Sequence, residues 1–371
     1  MNKRVCFYRF IVLTIGPTVL MLAATWSLHW KAGIPLMVGM DATKGTTKRV
    51  NLSDMFMYDN NAVYNAVVRL REMHCMERHG NYELCAAMTD CEHLDNVNTS
   101  CLNRFPGVVI IGAFKSGTRE LIDFLALNPL VKIKRLPEYE VSYFDRNVGF
   151  GPEWYRKQMP SSLGSQTTIE KSPSYLSSKI APRQIQYVNP GMKLILLVRE
   201  PVSRTMSHFS FDKYQSSQKY GDSLGRCALQ KQWLEHKRPD KKVNKNCFAV
   251  KHSLYYENLN NYLEYFDMKQ IGVIEADIFA KEPCIVLQQV EQFLGLEPYI
   301  KCSDFIYNQA KDFYCVADIT GEKTGVCYDH DRGRVNSSDT EESRQLEPIL
   351  RKFFKPLNEE FFELIGKRFK W

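Results

Sequence analysis

Hydrophobic and polar positions follow three different patterns along this chain. Residues 10–28 are apolar and carry no charge, with Lys3, Arg4 and Arg9 just before them. As a helix this run reaches about 28 Å, close to the thickness of a bilayer's hydrocarbon core. It predicts a cytoplasmic tail over 1–9 and a signal-anchor transmembrane helix over 10–30. The basic flank stays cytoplasmic, which places everything after Lys31 in the lumen as a type II protein. A cleaved signal peptide is the competing reading, because such peptides also begin with positive charge. From 31 to 100 the chain is polar and lacks long β-branched runs, as expected of a lumenal stem with a short disulfide-tied portion. From 101 to 371 the character changes. Runs at 108–111, 194–198 and 271–274 are apolar and largely β-branched, suited to buried parallel strands. Leu121, Phe124 and Leu125 have the spacing of one buried helix face, and Leu259, Leu263 and Phe266 repeat the theme. Strands alternating with helices predict an α/β domain with a central, mainly parallel sheet flanked by helices. Tyr255, Tyr256, Tyr262, Tyr265 and Phe266, at helical spacing, read as core.

Composition supports a large folded unit. Of 371 residues, 44% are hydrophobic and 25% charged, which excludes a disordered or collagen-like chain. The net charge of +7 favours anionic partners without identifying them. All but one of the eleven cysteines follow the apolar run, and in an oxidising lumen their expected fate is pairing. Cys75, Cys85, Cys91 and Cys101 with His74, His79 and His93 have no CxxC spacing, so no metal site is expected. Asn51, Asn98 and Asn336 begin Asn-x-Ser sequons, in keeping with a lumenal glycoprotein.

The most informative chemistry lies in 108–119, Val-Val-Ile-Ile-Gly-Ala-Phe-Lys-Ser-Gly-Thr-Arg, ahead of an amphipathic stretch. A strand enters a glycine-bearing turn and then a helix. Such a turn aims backbone N–H groups and a helix N-terminus at an anion, and Lys115 adds a point charge. A nucleoside-triphosphate loop ends Gly-Lys-Ser/Thr, whereas here Lys115 precedes Ser116 and Gly117. A second signal is 194–207, where a buried strand ends at Arg199 and Pro201 suits a helix's first turn. Arg199 and Ser207 are placed to share a second phosphate. Both loops follow strand C-termini, the edge at which open α/β sheets bind ligands.

With these segments in this order, the chain resembles sulfotransferases that use 3'-phosphoadenosine 5'-phosphosulfate, specifically the heparan sulfate glucosamine 3-O-sulfotransferases. The likeness runs from Cys101 to Trp371. It rests on 112–119, the acidic 138–145 (Glu-Tyr-Glu-Val-Ser-Tyr-Phe-Asp), 154–160, 170–175 (Glu-Lys-Ser-Pro-Ser-Tyr), 199–207, 313–315, Cys327, 332–334 (Arg-Gly-Arg) and the aromatic C-terminus. The resemblance implies that Lys115, Ser116, Gly117, Thr118 and Arg119 bind the 5'-phosphosulfate, and that Arg199 and Ser207 bind the 3'-phosphate. It implies that Arg332, Gly333 and Arg334 close over nucleotide or sugar, and that Cys315 and Cys327 are joined. It makes Glu140 the general base and Lys115 the cation on the leaving phosphate. Lys171 and Arg119 would hold anionic sugar groups or sulfuryl oxygens, with Asp145 and Glu138 orienting Glu140 or the cations around it. No metal is required.

Three positions depart from the family pattern. Ser142 stands where a histidine is usual, Phe211 where a glutamine is, and Asn336 where a histidine follows the Arg-Gly-Arg loop. The nucleotide half is intact and the acceptor half altered. The expected partners are therefore heparan sulfate or a related glycosaminoglycan and the Golgi membrane, with no nucleic acid. Lys231, Lys237, Arg238, Lys241, Lys242 and Lys245 form a basic run able to follow a polyanion, or else an ordinary solvated loop. Rival readings are a sulfotransferase for another glycan or position, such as a chondroitin-type chain, and a catalytically silent glycan-binding relative.

Overall fold

The computed structural model describes residues 11–15, 18–22, 60–91, 101–135, 140–215, 227–229, 243–317, 325–328 and 341–371. Two compact units divide at Asn61 and Ala62. In the first, β1 (Ile11–Ile15) pairs antiparallel with β2 (Thr18–Leu22), where the sequence reading expected one helix over 10–30. The local reason is the β-branched content of the two segments, Ile11, Val12, Thr14 and Ile15 in the first and Thr18 and Val19 in the second. Among the described residues no helix is long and apolar enough to cross a membrane.

The second unit is built on five parallel strands. Apart from a short antiparallel pair, β3 (Leu102–Asn103) with β6 (Ser161–Ser162), the strands in chain order are β4 (Val108–Gly112), β5 (Val131–Ile133), β7 (Thr167–Lys171), β8 (Lys193–Val198) and β9 (Ile271–Glu275). Their order across the sheet is β5-β7-β4-β8-β9. Side chains alternate across it, as strand geometry requires. Val108, Ile110, Ile195 and Leu197 enter one core, while Val109, Ile111, Leu194, Leu196 and Val198 enter the other. Both faces are thus dry, which is why these strands read as unbroken apolar runs rather than alternating ones.

Helices cover each face. On the first lie α1 (Asn60–His79), α3 (Thr118–Leu125) and Pro283–Leu294, and on the second Ala181–Val188, Tyr255–Leu263 and the aromatic end of Glu341–Ile365. Tyr255, Tyr262 and Phe266 are buried, while Tyr256 and Tyr265 are partly so. The hairpin β10 (Phe305–Asn308) and β11 (Phe313–Val316) lies beyond the sheet.

The stem expected over 31–100 is shorter than its polarity suggested. Val63, Ala66, Val67 and Leu70 of α1 lie in the first core at i, i+3, i+4 and i+7 spacing. A narrow stripe in an otherwise charged helix gives little mean hydropathy, which hid it. The helix α2 (Tyr82–Thr89) follows, and both are fastened to the body. Arg71 bonds the Met88 and Pro129 carbonyls, His74 Nε2 lies 3.0 Å from Asp304 Oδ1, and Gln166 Nε2 bonds the Met88 carbonyl at 2.8 Å.

Five disulfides, Cys75–Cys85, Cys91–Cys101, Cys227–Cys247, Cys284–Cys302 and Cys315–Cys327, account for every cysteine except Cys6. Asn51, Asn98, Asn336, Glu138, Arg332, Gly333, Arg334 and the basic run from Lys231 to Lys242 lie outside the described residues.

Candidate active site

Strand β4 ends at Gly112, where a side chain has no room. A Cβ at that position would stand 2.7 Å from Leu176 Cβ, in the turn Pro173–Ser177 that crosses over it. The chain then passes Lys115 (φ 64°) and Gly117 (φ 90°), both left-handed, before α3 begins. No side chain caps α3 at Gly117, so its N-terminus keeps its pull on an anion. Ser116 is 3% exposed, and its hydroxyl, close to that of Tyr255, makes no hydrogen bond of good geometry within the chain. A buried hydroxyl so placed beside an uncapped helix start fits a phosphate or sulfate oxygen.

The second loop is tied to the first. Arg199, just past β8, has its Nη1 at 3.5 Å from the Lys115 carbonyl. The Tyr255 hydroxyl donates to the Arg199 carbonyl at 2.8 Å and accepts from its amide at 3.2 Å, which fixes the turn. Glu200 accepts from the amides of Val202 (3.1 Å) and Ser203 (2.7 Å), capping helix Pro201–Gln215. Ser207 lies further along that helix, half-buried.

Behind both loops sits a polar cluster that sequence reasoning missed. Arg204 is fully buried and donates to the Phe114 carbonyl (3.0 Å), Ser253 Oγ (2.6 Å) and the Ala249 carbonyl, and its Nη1 lies 3.2 Å from His208 Nδ1. Phe114 stacks on His208 and meets His252 edge-on. Burial, then Arg204 and Lys115, drives the His208 pKa down to about 2, and burial likewise holds His252 well below its ordinary value. Both rings are neutral, leaving the guanidinium charge under the phosphate loop. The only trace of this in the sequence is the i, i+4 spacing of Arg204 and His208.

On the other side of β4, strand β7 ends in Glu170 and Lys171, whose side chains take opposite directions. Lys171 Nζ pairs with Glu140 Oε1 at 2.6 Å, the ammonium buried and the carboxylate partly exposed. The sequence reading aimed Lys171 at substrate anions, but in this structure its ammonium is engaged by the expected base. Glu170 is fully buried, and receives bonds from Ser172 Oγ and the Tyr155 hydroxyl (3.2 Å). Desolvation raises its pKa to about 7 despite those bonds. Asp145 is also raised, by burial first, against the lowering effect of Ser174 and Arg146. Ser142, at φ 48°, donates its amide to Ser172 Oγ (3.0 Å), and the Tyr143 amide donates to the Tyr175 hydroxyl (2.7 Å).

The structure thus brings Lys115, Ser116, Gly117, Thr118, Arg199, Glu140 and Lys171 to the C-terminal edges of three adjacent strands, β7, β4 and β8. Two loops suited to anions stand with a paired carboxylate on one sheet edge, an arrangement that fits group transfer, and residues 105–370 match the sulfotransferase domain family. A sulfotransferase from Alicyclobacillus acidocaldarius shares the fold, with TM-score 0.50 at 20% identity over 72% of this chain and 98% of that one. The human heparan sulfate glucosamine 3-O-sulfotransferase 5 is 34% identical over 273 residues, 73% of this chain and 75% of that protein. The mouse heparan sulfate glucosamine 3-O-sulfotransferase 6 is 32% identical over 268 residues, 72% of this chain and 74% of that protein. The chain belongs to the heparan sulfate glucosamine 3-O-sulfotransferase family.

Proposed function

We propose that this protein transfers a sulfuryl group from 3'-phosphoadenosine 5'-phosphosulfate to the 3-OH of a glucosamine residue in heparan sulfate. The loop from Gly112 to Arg119 would hold the 5'-phosphosulfate, and Arg199 with Ser207 the 3'-phosphate. The sugar oxygen attacks sulfur, the bond from sulfur to the nucleotide phosphate oxygen breaks, and the sugar proton passes to Glu140. Lys115 offsets charge on the departing phosphate. Lys171 holds Glu140 in place through their ion pair. As Glu140 takes up the proton its hold on Lys171 falls, and the buried ammonium is left to counter charge growing in the cleft. Family membership makes the 3-OH of heparan sulfate the first choice of acceptor.

The observation that carries this reading is the Glu140–Lys171 pair standing beside a glycine-bearing loop with an uncapped helix and a buried Ser116 hydroxyl. Labelled-sulfate transfer to a panel of desulfated glycosaminoglycans, with disaccharide mapping, tests it. Label in 3-O-sulfated glucosamine is the expected result, and label only in a chondroitin-type chain or at another hydroxyl would overturn the acceptor assignment. A lumenal, type II placement in the Golgi membrane is supported by the basic flank before residues 10–28 and by five disulfides. Release of the protein by alkaline carbonate would contradict it.

A further inference from the structure

The ammonium of Lys115 lies 4.3 Å from the centre of the Phe211 ring, within range of a cation–π contact. Phe211 stands one turn beyond Ser207 on helix Pro201–Gln215, so the helix that would supply a 3'-phosphate donor also carries this ring. We propose that Phe211 is a positioning residue for Lys115, holding its ammonium in the cleft ahead of the donor. The inference rests on the donor-binding reading given above.

A lysine stem is free about four bonds, and an anion that captures it must offset the lost freedom. A ring face removes much of that freedom in advance. Unlike a carboxylate, it does so without cancelling the charge, because the ring attracts the cation through its quadrupole. Nearby, Phe114 stacks on His208, whose imidazole is neutral.

The test is a double-mutant cycle on the full-length protein, read by calorimetry with adenosine 3',5'-bisphosphate. The variants are Phe211→Leu, Lys115→Met, both together, and Phe211→Tyr. Phe211→Leu should weaken binding by about 3- to 30-fold when Lys115 is present and leave it unchanged when Met replaces it. Phe211→Tyr, which keeps a π face, should bind as the parent does. Equal weakening in both Lys115 backgrounds would show that the ring acts through packing alone and would overturn the proposal, as would a Phe211→Tyr protein that behaves like Phe211→Leu. If the parent itself has no affinity for the nucleotide, the donor reading fails first; binding by the parent without coupling removes only the role of Phe211.

Discussion

Glu140 and Glu170 lie near the same strand end and meet opposite fates. Lys171 holds Glu140 within reach of solvent, whereas Glu170 is sealed from water and its pKa climbs to about 7. Only the first is placed to take a proton from a sugar. Glu140→Gln should lower turnover by about 10²- to 10⁴-fold and leave adenosine 3',5'-bisphosphate affinity unchanged, read by labelled-sulfate transfer beside calorimetry. Gly112 presents a stricter case. Gly112→Ala places a methyl group 2.7 Å from Leu176 Cβ, an overpacking that should destabilise the fold by about 1–3 kcal/mol and lower Tm measurably. At this scale the sequence was informative about charged groups within motifs. It read Tyr255 only as core and was silent about His252, and the site roles of both come from packing between segments far apart in the chain.

Among elements, helix Pro201–Gln215 has the largest influence on the site. Arg204 ties it to the phosphate loop and to 249–253, and His208 accepts one of its bonds as a neutral ring. This has a pH consequence with a definite sign. The folded pKa of His208 is depressed to about 2 from an ordinary 6.5, so the unfolded chain binds the extra proton across that window. Stability from this group is complete above pH 6.5 and is lost as pH falls, at roughly 1.4 kcal/mol per unit. His252 adds in the same direction. Glu170 has the opposite sign, since its raised pKa favours the fold at acid pH and that benefit fades as pH rises toward 7. His208→Asn retains an acceptor for Arg204 but no titration, so its Tm should fall less between pH 7 and pH 5 than that of the parent. Identical slopes would contradict the buried neutral imidazole. The elements themselves were unevenly legible. Strands β4, β8 and β9 are unbroken apolar runs, whereas β7, Thr-Thr-Ile-Glu-Lys, ends in the charges that serve the site and so looks like loop. The helix Glu341–Ile365 carries Pro348 and Pro356 inside it, residues that argue against a helix of that length.

For the whole molecule, the fold class followed from strands and helices in alternation, and the sheet edge followed from where glycine and arginine interrupt apolar runs. The boundary of the folded body did not, because α1 contributes only a thin apolar stripe. That helix has a practical bearing on how the enzyme is produced. A secreted form trimmed to start at Cys101 would strip the cover from the trench that Val63, Ala66, Val67 and Leu70 fill, and would leave a lone thiol where Cys91 had been its mate. Such a form should precipitate or cross-link on concentration, whereas one trimmed a few residues ahead of Asn60 should stay monodisperse by size-exclusion chromatography. The helix therefore sets where the catalytic body can be cut free.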